Sequence, residues 1–356
     1  MTSEATYALY EDAVQVLQQL IATPSFSKEE GETAALLYTH LQAKGVQVQR
    51  TMNNVWAKNL HFDDRKPTLL LNSHHDTVKP NAGYTRDPFN ATIEDGKLYG
   101  LGSNDAGGCL VSLMATFLHF YDREDLRYNL VFAASAEEEI SGRNGIEALL
   151  LELGTICAAI VGEPTQMNMA VAEKGLMVFD CKTTGIAGHA ARNEGENALY
   201  KALPDIGWFS SYEFDKVSQM LGPVKMNVTI IHAGSQHNII PAACDFTVDV
   251  RVNECYTNEE VLDIVRQHVS CEVTPRSLRL HSTSIDQDHP LVIAGSKLGL
   301  QSFGSPTMSD KALMPFPALK IGPGDSTRSH TADEFIYVQE IEQAINIYTN
   351  ILNQLL

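Results

Sequence analysis

One apolar stretch early in the chain constrains the fold most strongly. The run 69–71 consists of leucines, and His74, His75 and Asp76 follow it closely. A buried strand that delivers an imidazole and a carboxylate to its C-terminal end is a common way to build a metal site. Taken alone, the stretch is better explained by two surface histidines on a loop. The metal-site interpretation gains weight because other stretches repeat the same design.

Three further apolar, strand-like runs lead to candidate metal donors, and another donor stands where a glycine-rich segment begins a helix. In chain order these donors are Asp105, Glu138 and Glu139, Glu163, and His330. In a parallel sheet the C-termini of all strands lie along one edge, where ligands bind. Residues far apart in sequence are therefore expected to meet in one place.

Helical and strand-like segments alternate through the first 171 residues, which predicts an α/β fold with a mostly parallel, doubly wound sheet. From about residue 172 the pattern changes. Phe246, Val248, Val250 and Val252 alternate strictly with polar residues, which indicates an antiparallel sheet with one open face. The α/β pattern then returns. We predict a metal-binding domain of residues 1–171 plus 282–356, interrupted by an inserted α+β domain of residues 172–281.

Charge and composition narrow the class of partner. The 356 residues are enough for two domains, and Lys+Arg 26 against Asp+Glu 44 gives a net charge of -18. Nucleic acids and anionic membranes require a basic patch, so we expect neither as a partner. The N-terminus lacks the basic and apolar regions of a signal peptide, and no run approaches the ~18 apolar residues of a membrane span. With scattered cysteines and no CxxC pair, the chain is expected to be cytoplasmic.

The acidic triplet 137–139 has two interpretations. Such a triplet is often a solvated acidic turn. Here it directly follows the buried-strand pattern 130–135, so its acids should emerge at the edge of the sheet. Adjacent residues at a strand end point to different sides. One carboxylate can then bind a metal ion while its neighbour faces a bound water as a base.

Five motifs, in order and at familiar spacing over nearly the whole chain, resemble the metal motifs of the M20 family of metallopeptidases and deacylases. They are SHHDTV (73–78), YGLGSNDAGG (99–108), AEEE (136–139), VGEPT (161–165) and SH (329–330). Within the insert, TGIAGHA (184–190) and QHNIIP (236–241) resemble the two lid motifs of the family. The tail 322–335 is most similar to the acetylornithine and acetyl-lysine deacetylase branch.

The resemblance implies a site for two Zn²⁺ ions, for which Co²⁺ or Mn²⁺ can substitute. Asp105 would bridge the ions, His74 and Glu163 would complete one, and Glu139 and His330 would complete the other. Such a pair of ions can share and acidify one water.

The resemblance also assigns roles around the ions. Asp76 would orient the imidazole of His74, and Glu138 would be the general base. His75 has no role in the family and is interpreted as structural. The peptide bond after the bridging aspartate, Asp105–Ala106 here, is often cis in the family.

For the insert, the resemblance implies a lid and dimerisation domain. His189 would reach the active site of a partner subunit and stabilise the oxyanion, with Asn238 nearby, which implies a homodimer that closes on its substrate. Without the family, His189 reads as a surface histidine. Arg251 matches a position that clamps a substrate α-carboxylate, although it also fits an ordinary exposed arginine on a strand. Gly324, in the tail, is assigned to substrate binding.

The expected activity is hydrolysis of an N-acyl amino acid, with N-acetyl-ornithine or a relative from arginine or lysine biosynthesis as substrate. Acetyl requires a small apolar pocket, whereas succinyl requires an extra cation, which Lys174, Lys311 or Arg328 could supply. N-acetyl-citrulline stays open as a substrate, and a dipeptidase of the same family is the alternative enzyme. A non-catalytic binding protein would have lost a ligand or the base, but all six positions are filled.

Overall fold

The structure is a computed structural model that describes residues 3–192 and 194–356. The chain divides into two compact units. The first takes in the chain up to Val171 together with two later segments, Ile285–Phe303 and Ser309–Leu356. The second comprises Ala172–Ser284 and Gly304–Met308.

Helices and strands alternate along most of the chain. The α-helices of the described residues are α1 (Ser3–Ile21), α2 (Gly31–Ala43), α3 (Gly108–Phe120), α4 (Ile146–Leu153), α5 (Ala198–Ser211), α6 (Asn258–His268), α7 (Pro290–Lys297) and α8 (Val338–Leu355). The strands are β1 (Val48–Thr51), β2 (Asn54–Lys58), β3 (Thr68–His74), β4 (Thr92–Glu94), β5 (Lys97–Tyr99), β6 (Asn129–Ser135), β7 (Ala158–Val161), β8 (Met169–Glu173), β9 (Gly175–Thr184), β10 (Gly188–His189), β11 (Lys225–Ala233), β12 (Ile239–Ile240), β13 (Ala243–Val252), β14 (Glu272–Pro275), β15 (Thr283–Ser284), β16 (Ser302–Ser305), β17 (Ala318–Lys320) and β18 (Phe335–Tyr337).

The first unit is built on a sheet in the order β1-β2-β6-β3-β7-β17-β8. Strand β3 pairs in parallel with β6 and β7, and β17 pairs in parallel with β7. Strands β1, β2 and β8 extend the sheet in antiparallel fashion. The predicted α/β fold with a mostly parallel central sheet is confirmed.

Both faces of this sheet are covered by helices, which is why its central strands read as continuous apolar runs. Every residue of β3 and β6 is buried. Because successive side chains of a strand alternate between faces, Leu71 packs in one apolar cluster with Phe117 of α3, while Leu70 packs in another with Leu149 of α4. The rigid core thus fixes where each strand ends.

A short hairpin is the main difference from the predicted elements of the first unit. Before the glycine-rich helix start, β4 and β5 pair with each other and β18 joins β5. The turn between β4 and β5 contains Asp95 at φ 51° and Gly96 at φ 75°. An Asp-Gly pair with both φ angles positive is the preferred two-residue hairpin turn, so the sequence did contain the signal.

The second unit is a four-stranded antiparallel sheet in the order β11-β13-β9-β14. The alternation predicted for residues 245–252 is confirmed, since Phe246 and Val248 are buried in a core that includes Phe209 of α5 and Val261 of α6. Strand β11 forms one edge and carries the exposed apolar residue Ile231. The unit also includes residues 282–284 and 304–308, which we had assigned to the first domain; Thr283 and Ser284 pair with β8 residues of the second unit.

Among the helices of residues 3–192 and 194–356, none combines the length and the apolar character that a membrane span requires.

Replacing Leu71 by alanine should destabilise the first unit, because Leu71 lies at 0 % exposure between Phe132 and Ile160 on the neighbouring strands. A buried Leu→Ala change costs about 2–5 kcal/mol. Leu151→Ala on α4 removes the same atoms from a side chain that is 87 % exposed, and it should change the free energy of unfolding by less than about 0.5 kcal/mol. Urea unfolding followed by circular dichroism measures both. Equal effects of the two changes would contradict the packing described here.

Candidate metal centre

Three parallel strands deliver the predicted donors to one edge of the first unit's sheet. His74 is the last residue of β3, Glu138 and Glu139 follow β6, and Glu163 follows β7. The Nε2 atom of His74 lies 3.5 Å from Oδ1 of Asp105, 3.9 Å from Oε1 of Glu163 and 4.0 Å from Oε2 of Glu138. These distances agree with the prediction that the residues lie close together.

A second histidine faces the other oxygen of Asp105. The Nε2 atom of His330 lies 3.5 Å from Oδ2 of Asp105 and 3.1 Å from Oε2 of Glu139. Asp105 thus stands between two imidazoles, with one carboxylate oxygen toward each. Two sets of donors, His74 with Glu138 and Glu163, and His74 with Asp105 and Glu139, are each compact enough to hold one cation.

The buried imidazole of His74 tests whether a cation fits. Its Nδ1 atom lies 3.0 Å from the backbone oxygen of Asp76 and is the natural donor to it. Its Nε2 atom is buried and has no hydrogen-bond partner among the described residues. A metal ion between Nε2 and the carboxylates would accept the lone pair of a neutral imidazole in this tautomer. Imidazole nitrogens and carboxylate oxygens suit Zn²⁺, Co²⁺ or Mn²⁺.

The pKa values of the cluster follow from its burial and its excess of acids. Burial raises the pKa of Glu138 well above its usual value, and the charge of Glu163 adds to this rise while His74 opposes it. Burial alone would lower the pKa of His74, but the surrounding carboxylates, Asp105 and Asp76 first, raise it well above normal. The hydrogen bond to Glu139 raises the pKa of His330 to about 9, although burial opposes it. The excess of carboxylates therefore favours the binding of positive charge, either as protons or as metal ions.

The carboxylate of Asp76 contacts the acidic loop more closely than the imidazole that we expected it to orient. Nδ1 of His74 is 3.5 Å from Oδ1 of Asp76 but 3.0 Å from the backbone oxygen of the same residue. The Asp76 carboxylate accepts hydrogen bonds from the backbone N–H groups of Glu138 at 3.0 Å and Glu139 at 3.2 Å, and from the Ser27 hydroxyl at 2.7 Å. The residue thus fixes both sides of the site.

The three glutamates separate in a turn and not by strand alternation. Glu137 has φ 55°, and the chain then enters a short helical turn, Glu138–Ile140. The Glu137 carboxylate accepts hydrogen bonds from the backbone N–H of Asn144 at 3.3 Å and from its side-chain amide at 3.0 Å. Glu138 and Glu139 both face the donor cluster. We expected Glu138 and Glu139 to point to different sides because they follow a strand. They instead lie in a helical turn, and both face the cluster.

The segment that presents Asp105 is held by a residue that sequence reasoning missed. The peptide bond between Asp105 and Ala106 is cis, as predicted. The carboxylate of Glu334 accepts backbone hydrogen bonds from Gly102 at 3.0 Å, Asn104 at 2.8 Å and Asp105 at 2.9 Å. Burial and the nearby Asp105 raise the pKa of Glu334 to about 8, while these N–H donors oppose the rise. Its place in the tail motif, four residues after His330, was the available signal.

The other candidates of the first unit take structural positions. His75 is buried, with Nδ1 3.0 Å from the hydroxyl of Thr33 and Nε2 2.9 Å from the backbone oxygen of Asn53. Gly324 has φ +85°, and a Cβ atom there would meet the side chain of Asn104 at 2.4 Å. Its lack of a side chain is thus explained by a tight turn.

The predicted residues of the insert lie in the second unit. His189 on β10 and Asn238 just before β12 are brought together, because the backbone N–H of Ala190 donates to the backbone oxygen of Asn238 at 3.0 Å. The guanidinium of Arg251 donates two hydrogen bonds to the carboxylate of Asp249, at 2.9 and 3.0 Å. None of these three residues belongs to the donor cluster of the described first unit.

The three cations considered for a succinyl group are all engaged within their own units. Arg328 forms two hydrogen bonds with Glu340, at 2.8 and 3.2 Å. The ammonium of Lys174 donates to the backbone oxygen of Pro223 at 2.7 Å, and that of buried Lys311 lies 3.5 Å from the backbone oxygen of Ala170. Arg328 in particular would have to leave a bidentate ion pair to reach a substrate.

Comparison with known proteins places this site in a family. The sequence profile of peptidase family M20/M25/M40 matches residues 70–354. The succinyl-diaminopimelate desuccinylase 2 of Ruegeria sp. (strain TM1040) is 26% identical over 382 aligned positions, which cover 96% of this chain and 94% of that protein.

Solved structures agree with the fold. The M20 family metallo-carboxypeptidase Sso-CP2 from Sulfolobus solfataricus superimposes with a TM-score of 0.76 at 18% identity, covering 96% of this chain and 99% of that chain. A dinuclear metal-binding M20 peptidase from Bacillus subtilis does so with a TM-score of 0.74 at 16% identity, covering 97% and 98% of the two chains. The family resemblance read from the motifs is confirmed: the chain is a member of peptidase family M20/M25/M40.

Proposed function

We propose that this protein is a dinuclear metal amidohydrolase that removes the acyl group from an N-acyl amino acid. One observation carries the proposal. The buried Nε2 atom of His74 has no hydrogen-bond partner among the described residues and faces the carboxylates of Asp105, Glu138 and Glu163. Two cations among these donors would satisfy the imidazole and neutralise the acids together.

The residues that would hold the ions follow from the two histidines. His74 and Glu163 would bind one ion, His330 and Glu139 the other, and Asp105 would bind both. Zinc is the proposed metal, with cobalt or manganese as substitutes. When bound, such a pair supplies Lewis-acid polarisation of the amide carbonyl and lowers the pKa of a water.

Glu138 is the proposed general base. Its Oε2 atom lies 4.0 Å from Nε2 of His74, and its backbone N–H donates to the carboxylate of Asp76 at 3.0 Å. Glu138 would accept a proton from the attacking water and deliver it to the nitrogen of the departing amine. The amide C–N bond then breaks, leaving a free carboxylate and a protonated amino acid.

The proposed substrate is an N-acyl-L-ornithine from arginine biosynthesis, with acetyl or succinyl as the acyl group, and N-acyl-lysine or N-acetyl-citrulline as related substrates. The relative named as a succinyl-diaminopimelate desuccinylase supports an N-acyl amino acid. The protein would act in the cytoplasm, where cysteines stay reduced; all six of its cysteines are free.

We further propose a homodimer in which the second unit contributes to catalysis. The edge strand β11 leaves its outer backbone groups unpaired by any described strand and exposes Ile230 and Ile231 at 46 % each. Such an edge is a template for pairing with a second copy. His189 and Asn238 would then serve the partner's site, and Arg251 would exchange Asp249 for the substrate α-carboxylate.

Glu138→Gln should abolish turnover, because an amide cannot accept the proton of the attacking water. It should leave the metal content intact, because Glu138 is not one of the proposed metal ligands. We expect kcat to fall by about 10²–10⁴-fold, the usual contribution of a general base.

Glu139→Gln is the matched control and should lower the bound metal. Turnover by hydrolysis assay and metal by atomic absorption give the two readouts. Near-normal turnover in Glu138→Gln, or loss of metal from it, would remove the assignment of the base.

A hydrolysis panel tests the substrate class. We expect the zinc-loaded enzyme to cleave N-acetyl- or N-succinyl-ornithine, -lysine or -citrulline and to lose this activity when the metal is chelated. The acyl preference follows from the ratio of kcat/KM values for the two ornithine derivatives. Several dipeptides complete the panel, and cleavage of dipeptides alone would contradict the deacylase proposal.

Mixing two inactive variants tests catalysis across the dimer. His189→Ala and Glu138→Gln should each be inactive as pure dimers. In a mixed dimer, one site would combine Glu138 of one protomer with His189 of the other, so random exchange should restore about one quarter of wild-type activity. His189→Ala that also carries Ile231→Glu on the β11 edge should not regain it. No recovery after verified subunit exchange would contradict action of His189 across the interface.

A further inference from the structure

Glu334 is a buried acid whose carboxylate accepts hydrogen bonds from the backbone of one short segment, residues 102–105. Only 2 % of the surface of Glu334 is exposed to solvent. Oε1 accepts from the N–H groups of Asn104 at 2.8 Å and Asp105 at 2.9 Å, and Oε2 accepts from Gly102 at 3.0 Å. Both carboxylate oxygens are therefore used as acceptors.

The segment it binds is not a regular helix, so these N–H groups need an acceptor from elsewhere. Asp105 has φ -118° and ψ 97°, outside helical values, and Gly102 is left-handed at φ 74°. Backbone N–H groups that converge in such a turn form a concavity suited to an anion. A glutamate offers two acceptor oxygens to these N–H groups, whereas a glutamine offers one. A carboxylate thus holds this backbone more firmly than an amide would.

The chain position of Glu334 links this backbone to the second histidine. Glu334 follows His330 by four residues, and Nε2 of His330 lies 3.5 Å from Oδ2 of Asp105. One short segment therefore carries a candidate metal donor and also fixes the backbone of the aspartate that faces this donor. The spacing between His330 and Asp105 depends on both attachments.

We propose that Glu334 is a positioning residue for the metal pair, which sets the distance between Asp105 and His330 through the backbone of residues 102–105. The inference rests on the proposed function, since it requires that ions bind there. Glu334 would not touch an ion or the substrate itself. Its removal would let the Asp105 carboxylate shift away from His330 and weaken binding at the side of the site that these two residues share with Glu139.

The neighbouring Asp333 provides a matched control. Its carboxylate accepts backbone hydrogen bonds from Thr85 and Arg86, each at 2.9 Å. It anchors a loop to the same segment in the same manner, but that loop holds none of the proposed metal donors. Asp333→Asn thus removes a neighbouring carboxylate that binds backbone N–H groups, without acting on Asp105.

The test is a Co²⁺ titration of the metal-free full-length protein, followed by binding heat and by the visible absorption of cobalt. Wild type should bind two ions. In Glu334→Gln the amide NH₂ group must face at least one backbone N–H, so the weaker of the two binding events should lose about 10–100-fold in affinity, the usual effect of an outer hydrogen-bond partner. Asp333→Asn should bind both ions within about threefold of wild type.

Thermal unfolding of the metal-free variants separates positioning from a purely structural role. Unchanged cobalt affinities in Glu334→Gln, with a lower unfolding temperature, would overturn the inference, as would equal loss of affinity in Asp333→Asn. If Glu334→Gln does not fold, Glu334→Asp, which keeps the charge but withdraws it by one methylene, takes its place with the same expected loss. Wild type that binds no cobalt would instead overturn the proposed function itself.

Discussion

The organisation of the first unit depends on one electrostatic constraint. Parallel strands β3, β6 and β7 end at the same edge and bring the imidazole of His74 together with four acids, Asp76, Glu138, Glu139 and Glu163, in a largely buried place. Removing charges from water costs several kcal/mol each unless they are compensated. Among the described residues, Nε2 of His74 has no hydrogen-bond partner, and the acids around it outnumber the imidazoles. Two bound cations would compensate these acids and give the imidazole a partner, in keeping with membership of a peptidase family.

A second layer of acids holds the first in place. The carboxylate of Asp76 accepts hydrogen bonds from the backbone N–H groups of Glu138 and Glu139. The carboxylate of Glu334 accepts them from the backbone N–H groups of Asn104 and Asp105. Buried Glu30 accepts the N–H of Glu137 at 3.2 Å and the side-chain amide of Asn53 at 2.9 Å. The loops that carry Glu138, Glu139 and Asp105 are thus fixed through their backbone. This leaves the side chains of the loops available to bind, which is the arrangement that a precise site requires.

The sequence predicted the fold and the donor cluster because both follow from local patterns. Apolar runs of strand length locate β3, β6 and β7, and the rule for parallel strands brings their C-terminal residues together. The β4–β5 hairpin was missed although its Asp95-Gly96 turn is a hairpin signal, because its strands have three residues each and carry little periodicity. The contacts of Asp76 and Glu334 could not be read from the sequence, since a carboxylate that binds distant backbone N–H groups requires no residue type at the other end.

Anomalous diffraction from crystals of the zinc-loaded wild-type protein tests most directly whether two metal ions bind around Asp105. The account predicts two anomalous peaks at the C-terminal edge of β3, β6 and β7, with a carboxylate oxygen of Asp105 bound to each, His74 on one ion and His330 on the other. Zinc ligands in proteins lie about 2.0–2.2 Å away when they are nitrogen or oxygen. No peak there, or peaks that Asp105 does not touch, would contradict it.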